Sequence, residues 1–212
     1  MTTPRRALIL VDVQQDYFAG PLEVQCPPHA QSLPRITAAI DGARKAGIPI
    51  VAVQHRGGDG SPVFDPATAG FDLHPEVESR LDADAKRVTK EYGTVFGGTD
   101  LLAWLRAHAI DTISLVGYMT NNCILASAAE AETHGLTVEV LSDATGAIHL
   151  ANAVGFADAQ TVHATLMTLL HSNFAAVAPT SRWLRAVADD VALDRDNLVQ
   201  SARAGAERAR QR

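Results

Sequence analysis

Five stretches of the chain are apolar and largely β-branched: Ala7–Val13, Ile48–Gln54, Thr112–Gly117, Leu136–Asp143 and Phe174–Pro179. Short continuous runs of this kind read as strands buried on both faces of a sheet. A shorter candidate strand, Lys86–Lys90, precedes the Thr99 helix. Between the strands the period lengthens. Leu33–Gly47 opens near a proline and closes on a glycine, the usual start and stop of a helix. Thr99–Ile110 begins on a cap-type threonine and carries Leu101, Leu102 and Leu105 at helical spacing. Asn122–Gly135 and Ala157–Ser172 complete the helical series. Strand and helix in alternation mean βαβ units. The predicted fold is α/β, a three-layer α/β/α sandwich around a mainly parallel, Rossmann-like six-stranded sheet.

Such sheets collect their chemistry in the crevice beyond the carboxyl ends of the strands. That geometry selects Asp12, Lys90 and Cys123, which end or follow the first, third and fourth strands. His55–Pro75 is a long glycine- and proline-bearing stretch without periodicity, the usual form of a lid or binding loop. Residues 1–187 are expected to form one domain, and 188–212 a charged tail that is helical or partly disordered.

Composition narrows the function. A chain of 212 residues with 47% hydrophobic and 20% charged positions suits a single ordinary globular domain. Its formal charge of −6 disfavours nucleic-acid and anionic-membrane partners, which call for basic patches. Two cysteines do not make a disulfide framework, and the apolar run after Arg6 meets Asp12 too soon for a signal segment. No stretch is long enough to span a bilayer. A cytoplasmic protein acting on a small molecule is the expectation.

The cysteine has two readings. A free cysteine is most often a small buried hydrophobe, and Cys26, beside Pro27 and Pro28, reads as incidental. Cys123 sits where the strand Thr112–Gly117 gives way to a helix, in the stretch GYMTNNCILASAAEAE. In a first helical turn the unpaired N–H groups lower a thiol's pKa and can hold an oxyanion. Asp12 can then act as general acid and base, with Lys90 as the charge partner. Taken singly, each has a plainer role, Asp12 as a turn residue and Lys90 as a surface lysine. Other cysteine and nucleotide chemistries fail on residues. There is no Cys-x-x-Cys, and Ala129 stands where a Cys-x5-Arg phosphatase loop needs arginine. The turn DVQQDYF is neither GxGxxG nor a Walker loop, and no GxSxG occurs.

VDVQQDYF, VTKEYGTVFGGTDL and VGYMTNNCILASAAEAETHGL followed by VEVLSDATGA together resemble the isochorismatase-like cysteine hydrolases, from about Ala7 to Leu184. The resemblance implies a triad of Asp12, Lys90 and Cys123. It also implies a cis Tyr118–Met119 peptide, with the N–H groups of Met119 and Cys123 forming an oxyanion hole. Gln14, Phe18, His55, Tyr92 and Tyr118 are the implied substrate contacts. Phe96, like Tyr92, either covers the substrate or packs beneath the loop, and Asp143 reads as structural. Nicotinamidases of this superfamily carry an Asp-x-His metal site after the second strand. Here Val53 stands two before His55, so no metal or other cofactor is expected, and His55 and His74 read as loop polar groups or substrate contacts. The implied activity is hydrolysis of a small amide or carbamoyl C–N bond through a thioester, by a dimer or larger homo-oligomer. The alternatives are enol-ether hydrolysis with Cys123 a bystander, and a non-catalytic binding protein on the same fold.

Overall fold

The computed structural model describes residues 3–83 and 85–211. Along the chain the elements are β1 (Arg6–Val11), α1 (His29–Lys45), β2 (Ile50–His55), α2 (Pro75–Glu78), β3 (Lys86–Lys90), α3 (Leu101–Ala107), β4 (Thr112–Tyr118) and α4 (Leu125–Thr133). They continue as β5 (Thr137–Gly146), a hairpin of β6 (Leu150–Asn152) and β7 (Gly155–Ala157), α5 (Ala159–Leu169), β8 (Ala176–Ala178), α6 (Thr180–Ala188) and α7 (Leu198–Ala209). Six strands form one sheet in the order β3-β2-β1-β4-β5-β8, all parallel. The six-stranded α/β/α fold is as expected.

The alternation of side chains along β1 explains the three layers. Ala7, Ile9 and Val11 point into a core shared with Leu101 and Leu105 of α3, with Ala128 and Ala131 of α4, and with Ile124. Leu8 and Leu10 point the other way, toward Ile36, Ala39 and Ile40 of α1 and Trp183 of α6. Both faces are therefore dry, and each fully buried Leu or Ile contributes roughly 1.5–3 kcal/mol of transfer free energy. This is why the strand reads as an unbroken apolar run.

The strand order reverses between β1 and β4. The chain winds outward from β1 to β3, then crosses to β4 and winds out the other way to β8. The crevice beyond a reversal of this kind is where such sheets bind ligands. Gly117 is required there by close approach: its φ is 107°, and a Cβ would lie 2.1 Å from the Val11 carbonyl oxygen.

The helices depart from the sequence pattern at their ends. α1 starts at His29, four residues before Leu33, and contains Pro34. The chain between β4 and α4 is a π-helical turn, Thr120–Ile124. The stretch after α6 carries a regular helix, α7, capped by the Asn197 side chain on the Gln200 N–H. Among the described residues no helix is long and apolar enough to cross a membrane.

Candidate active site

Three strand ends place three side chains. Asp12 follows β1 with φ 51°, in the left-handed region that few non-glycine residues adopt, and its carboxyl is fully buried. Lys90 is the last residue of β3 and pairs in register with His55, the last of β2. Cys123 lies in the π-helical turn that follows β4.

They converge on one ammonium. Lys90 Nζ is 2.7 Å from Asp12 Oδ2, 3.3 Å from Cys123 Sγ, 3.1 Å from His55 Nδ1 and 3.1 Å from the Tyr92 carbonyl oxygen. An ammonium has three protons. The sulfur, the imidazole and the carbonyl can take all three, and the contact with Asp12 is a close ion pair. Both carboxylate oxygens of Asp12 lack a hydrogen-bond donor among the described residues. A buried carboxylate left this way is costly unless something else uses it.

Burial sets the protonation states. It raises the Asp12 pKa, with the Lys90 charge opposing. It lowers that of His55, and Lys90 lowers it further, so the ring is neutral and accepts through Nδ1. It pushes the Cys123 thiol up to about 12, and the Asp12 charge adds to the effect. Cys123 as a whole is 1% exposed. The expectation that helix N–H groups lower this pKa is therefore corrected: burial and the Asp12 charge move it the other way, which favours the thiol.

Asp12, His55 and Cys123 offer ligand atoms within 4.8 Å of one another, as a metal site would. The residues nonetheless do not fit a divalent ion. Lys90 Nζ already touches all three, so the cation of this cluster is the lysine. Val53 is buried in the core, and His74 uses Nδ1 to accept from the Glu76 N–H.

The expected substrate contacts divide. Phe18 packs against His74 with the rings tilted, 4.3 Å between ring centres, and meets Tyr118 edge-on. Gln14 is corrected: it is fully buried, donates to the carbonyls of His55 and Phe71, and accepts from the His55 N–H. Its polar atoms are spent, so it ties β1 to β2 and to the following loop. Tyr118 is corrected in the same way. Its ring lies in the core with its hydroxyl 2.8 Å from Ser32 Oγ. Only its backbone is near the turn, and the Tyr118–Met119 peptide is cis. Tyr92 is 64% exposed, so its carbonyl rather than its ring reaches Lys90. Phe96 packs beneath, in the core. The Met119 N–H donates to no group among the described residues.

Other contributors lie outside the sequence pattern. Ser127 Oγ accepts from the Val95 N–H and donates to the Cys123 carbonyl, clamping the segment after β3 to the cysteine turn. Its spacing of four from Cys123 was the available signal. The His55–Pro75 loop is fastened as well as tied by Gln14: Gln54 donates to the Phe71 carbonyl, and Asp16 accepts from the Phe64 N–H. A Cβ on Gly70 would strike the Asp16 carboxylate.

Comparison with known proteins gives the family of the chain. The family model for the isochorismatase domain matches residues 6–181. The crystal structure of an isochorismatase-type protein from Burkholderia xenovorans LB400 is 44% identical, covers 98% of this chain and 100% of its own, and superposes with a TM-score of 0.93. The structure of a cysteine hydrolase from Pseudomonas syringae pv. phaseolicola 1448A is 25% identical, with coverage of 90% and 95% and a TM-score of 0.79. The nicotinamidase/pyrazinamidase of Mycobacterium tuberculosis H37Rv is 29% identical over 68% of this chain and 87% of its own length.

Proposed function

Because the chain belongs to the isochorismatase family and is a hydrolase of that type, we propose that it cleaves a small amide or carbamoyl C–N bond through a thioester on Cys123. The observation that carries the reading is the single buried ammonium joining Asp12, Cys123 and His55. The relatives support the same bond class, since one is named a cysteine hydrolase and another an amidase.

The protonation states dictate the order of events. The thiol cannot attack while protonated, and Asp12 is the neighbouring carboxylate with unused oxygens. As sulfur bonds to the substrate carbonyl carbon, the thiol proton passes to Asp12, whose raised pKa suits it to receive one. The carbonyl oxygen gathers negative charge against the N–H groups of Met119 and Cys123. Lys90 stays cationic and offsets the carboxylate in a dry site. The C–N bond then breaks, the nitrogen leaves with the proton from Asp12, and an acyl thioester remains. Asp12 next takes a proton from water, hydroxide adds to the thioester, and the sulfur departs and recovers its proton as the acid is released.

One observation favours a second reading. A cysteine 1% exposed with its pKa pushed up to about 12 is also what a packing cysteine looks like. In that case Asp12 alone would move protons on an enol ether. Quenching during turnover of a panel of small amides and carbamoyl compounds, followed by mass analysis of the Cys123 peptide, decides between them. An acyl adduct together with ammonia or amine release is expected. Turnover without any adduct in wild type, and undiminished in Cys123→Ala, would remove the sulfur from the mechanism.

A further inference from the structure

The mechanism leaves a half-buried histidine close to the cysteine turn unused. His163 lies on α5, and its Nδ1 is 3.1 Å from Thr120 Oγ1. Thr120 is fully buried, directly follows Met119 and opens the π-helical turn that carries Cys123. The sheet is irregular at the same level. β5 pairs Val140 with Leu115, then skips to pair Thr145 with Gly117, so Leu141–Ala144 bulge out of the ladder. Ser142 lies in that bulge, and its backbone carbonyl accepts from the Thr145 hydroxyl. The imidazole thus links α5 to the first residue of the turn.

We propose that His163 is a positioning residue that fixes the Met119–Thr120 backbone through the Thr120 hydroxyl, an inference that rests on the reading of Met119 as an oxyanion donor. A neutral ring carries one N–H and one lone pair, so if Nδ1 accepts the Thr120 hydroxyl proton the N–H sits on Nε2. Burial lowers the His163 pKa, which favours the neutral ring. Thr120 is then held from outside its own turn, by α5. The Met119 N–H is one residue from that anchor. Freeing the hydroxyl lets the donor drift from where the oxyanion forms, and a displacement of about 1 Å at a reacting centre is enough to lose on the order of a hundredfold in rate. Ground-state binding, made by groups elsewhere in the pocket, is unaffected.

The test uses p-nitrophenyl acetate, whose carbonyl must occupy the same position, with release of p-nitrophenolate as the readout. Thr120→Val and His163→Leu keep shape but remove the hydrogen bond. Each is expected to lower kcat by about 10- to 100-fold with KM within about twofold. The double variant should be no worse than either single one, because both break the same link. His163→Asn places an amide oxygen near the position of Nδ1 and should recover most of the loss. Wild-type kcat in His163→Leu, additive losses in the double variant, or loss in KM rather than kcat would overturn the proposal. Nitrogen-15 NMR of histidine-labelled wild type is independent of activity. It should show His163 as the Nε2–H tautomer, and an Nδ1–H tautomer would overturn the inference whatever the variants do. Cys123→Ala, assayed alongside, isolates the underlying reading: full release by that variant condemns the thioester scheme, and the tautomer then judges His163 alone.

Discussion

Strand β1 has a charged group at each end, and the two have opposite fates. Arg6, its first residue, pairs with Glu139 of β5 at 2.8 Å. Both Glu139 oxygens are occupied: they accept from Arg6 Nε and Nη2, from Ser114 Oγ and from Trp183 Nε1. Arg6 Nη2 also donates to the Val191 carbonyl. At the other end Asp12 is equally buried and as close to its cation, yet neither of its oxygens receives a hydrogen bond among the described residues. The first pair uses every lone pair to hold β1, β4, β5 and α6 in place. The second leaves its lone pairs free, which costs stability and makes proton transfer possible. Saturation separates a structural ion pair from a chemical one.

Substitutions that exchange these roles should have distinct signatures. The largest effect is expected from Cys123→Ala, which should lower turnover of the true amide by at least about a thousandfold while the thermal midpoint stays within a few degrees. Steady-state rates and a melting curve check both. Near-normal turnover would end the comparison at its chemical end. Glu139→Ala should do the reverse. It strands a buried guanidinium and leaves Ser114 and Trp183 without their acceptor, so a loss of about 3–5 kcal/mol is expected. For a chain of this size that lowers the midpoint by roughly 6–20 °C. Activity per folded molecule should be preserved. Urea unfolding and an assay at low temperature measure the two separately.

Lys90→Met falls between these extremes. Removing the cation leaves Asp12 buried without a counter-charge, so stability at neutral pH should fall by up to about 3 kcal/mol and activity should be lost as well. Adding Asp12→Asn to Lys90→Met removes the stranded charge, and most of the stability should return with no return of activity. A double variant less stable than Lys90→Met would mean that the pair is held by more than its charges.

The fold was legible and the electronics were not. β3 is found where the residues KRVTK place it, and β1, β2 and β4 within two residues at either end, because burial on both faces forces a continuous apolar run. The β6–β7 hairpin escaped because Leu150 and Phe156 are exposed there, so its pattern carries no record of a core. The π-helical turn escaped because its side chains fit an ordinary helix, and only the backbone reveals the extra residue. At the site, strand ends and motif resemblance brought Asp12, Lys90 and Cys123 to one crevice. The resting thiol was out of reach. Its proton is held by the depth of the sulfur and the nearness of Asp12, both products of tertiary packing. Gln14 and Tyr118 misled for a related reason: adjacency to the motif does not say whether a side chain faces the pocket or the core.

The smallest expected effect is a displacement along the pH axis, and it tests the unsaturated carboxylate most directly. Asp12 must be ionised to take the thiol proton, so activity should disappear as pH falls through its pKa in the fold. Burial raises that pKa, and Lys90 only partly offsets the rise. The acid limb of kcat/KM should therefore lie above the ordinary aspartate range, and a limb within that range would take Asp12 out of the role. Stability should move the other way. A group whose pKa is raised by folding contributes stability that is present below its unfolded pKa and lost as pH rises through the folded one. The midpoint of wild type relative to Asp12→Asn should therefore improve on acidification across the window in which activity vanishes. If the two curves moved together, the buried carboxylate would be supporting the fold, as Glu139 does, and its free lone pairs would have no catalytic use.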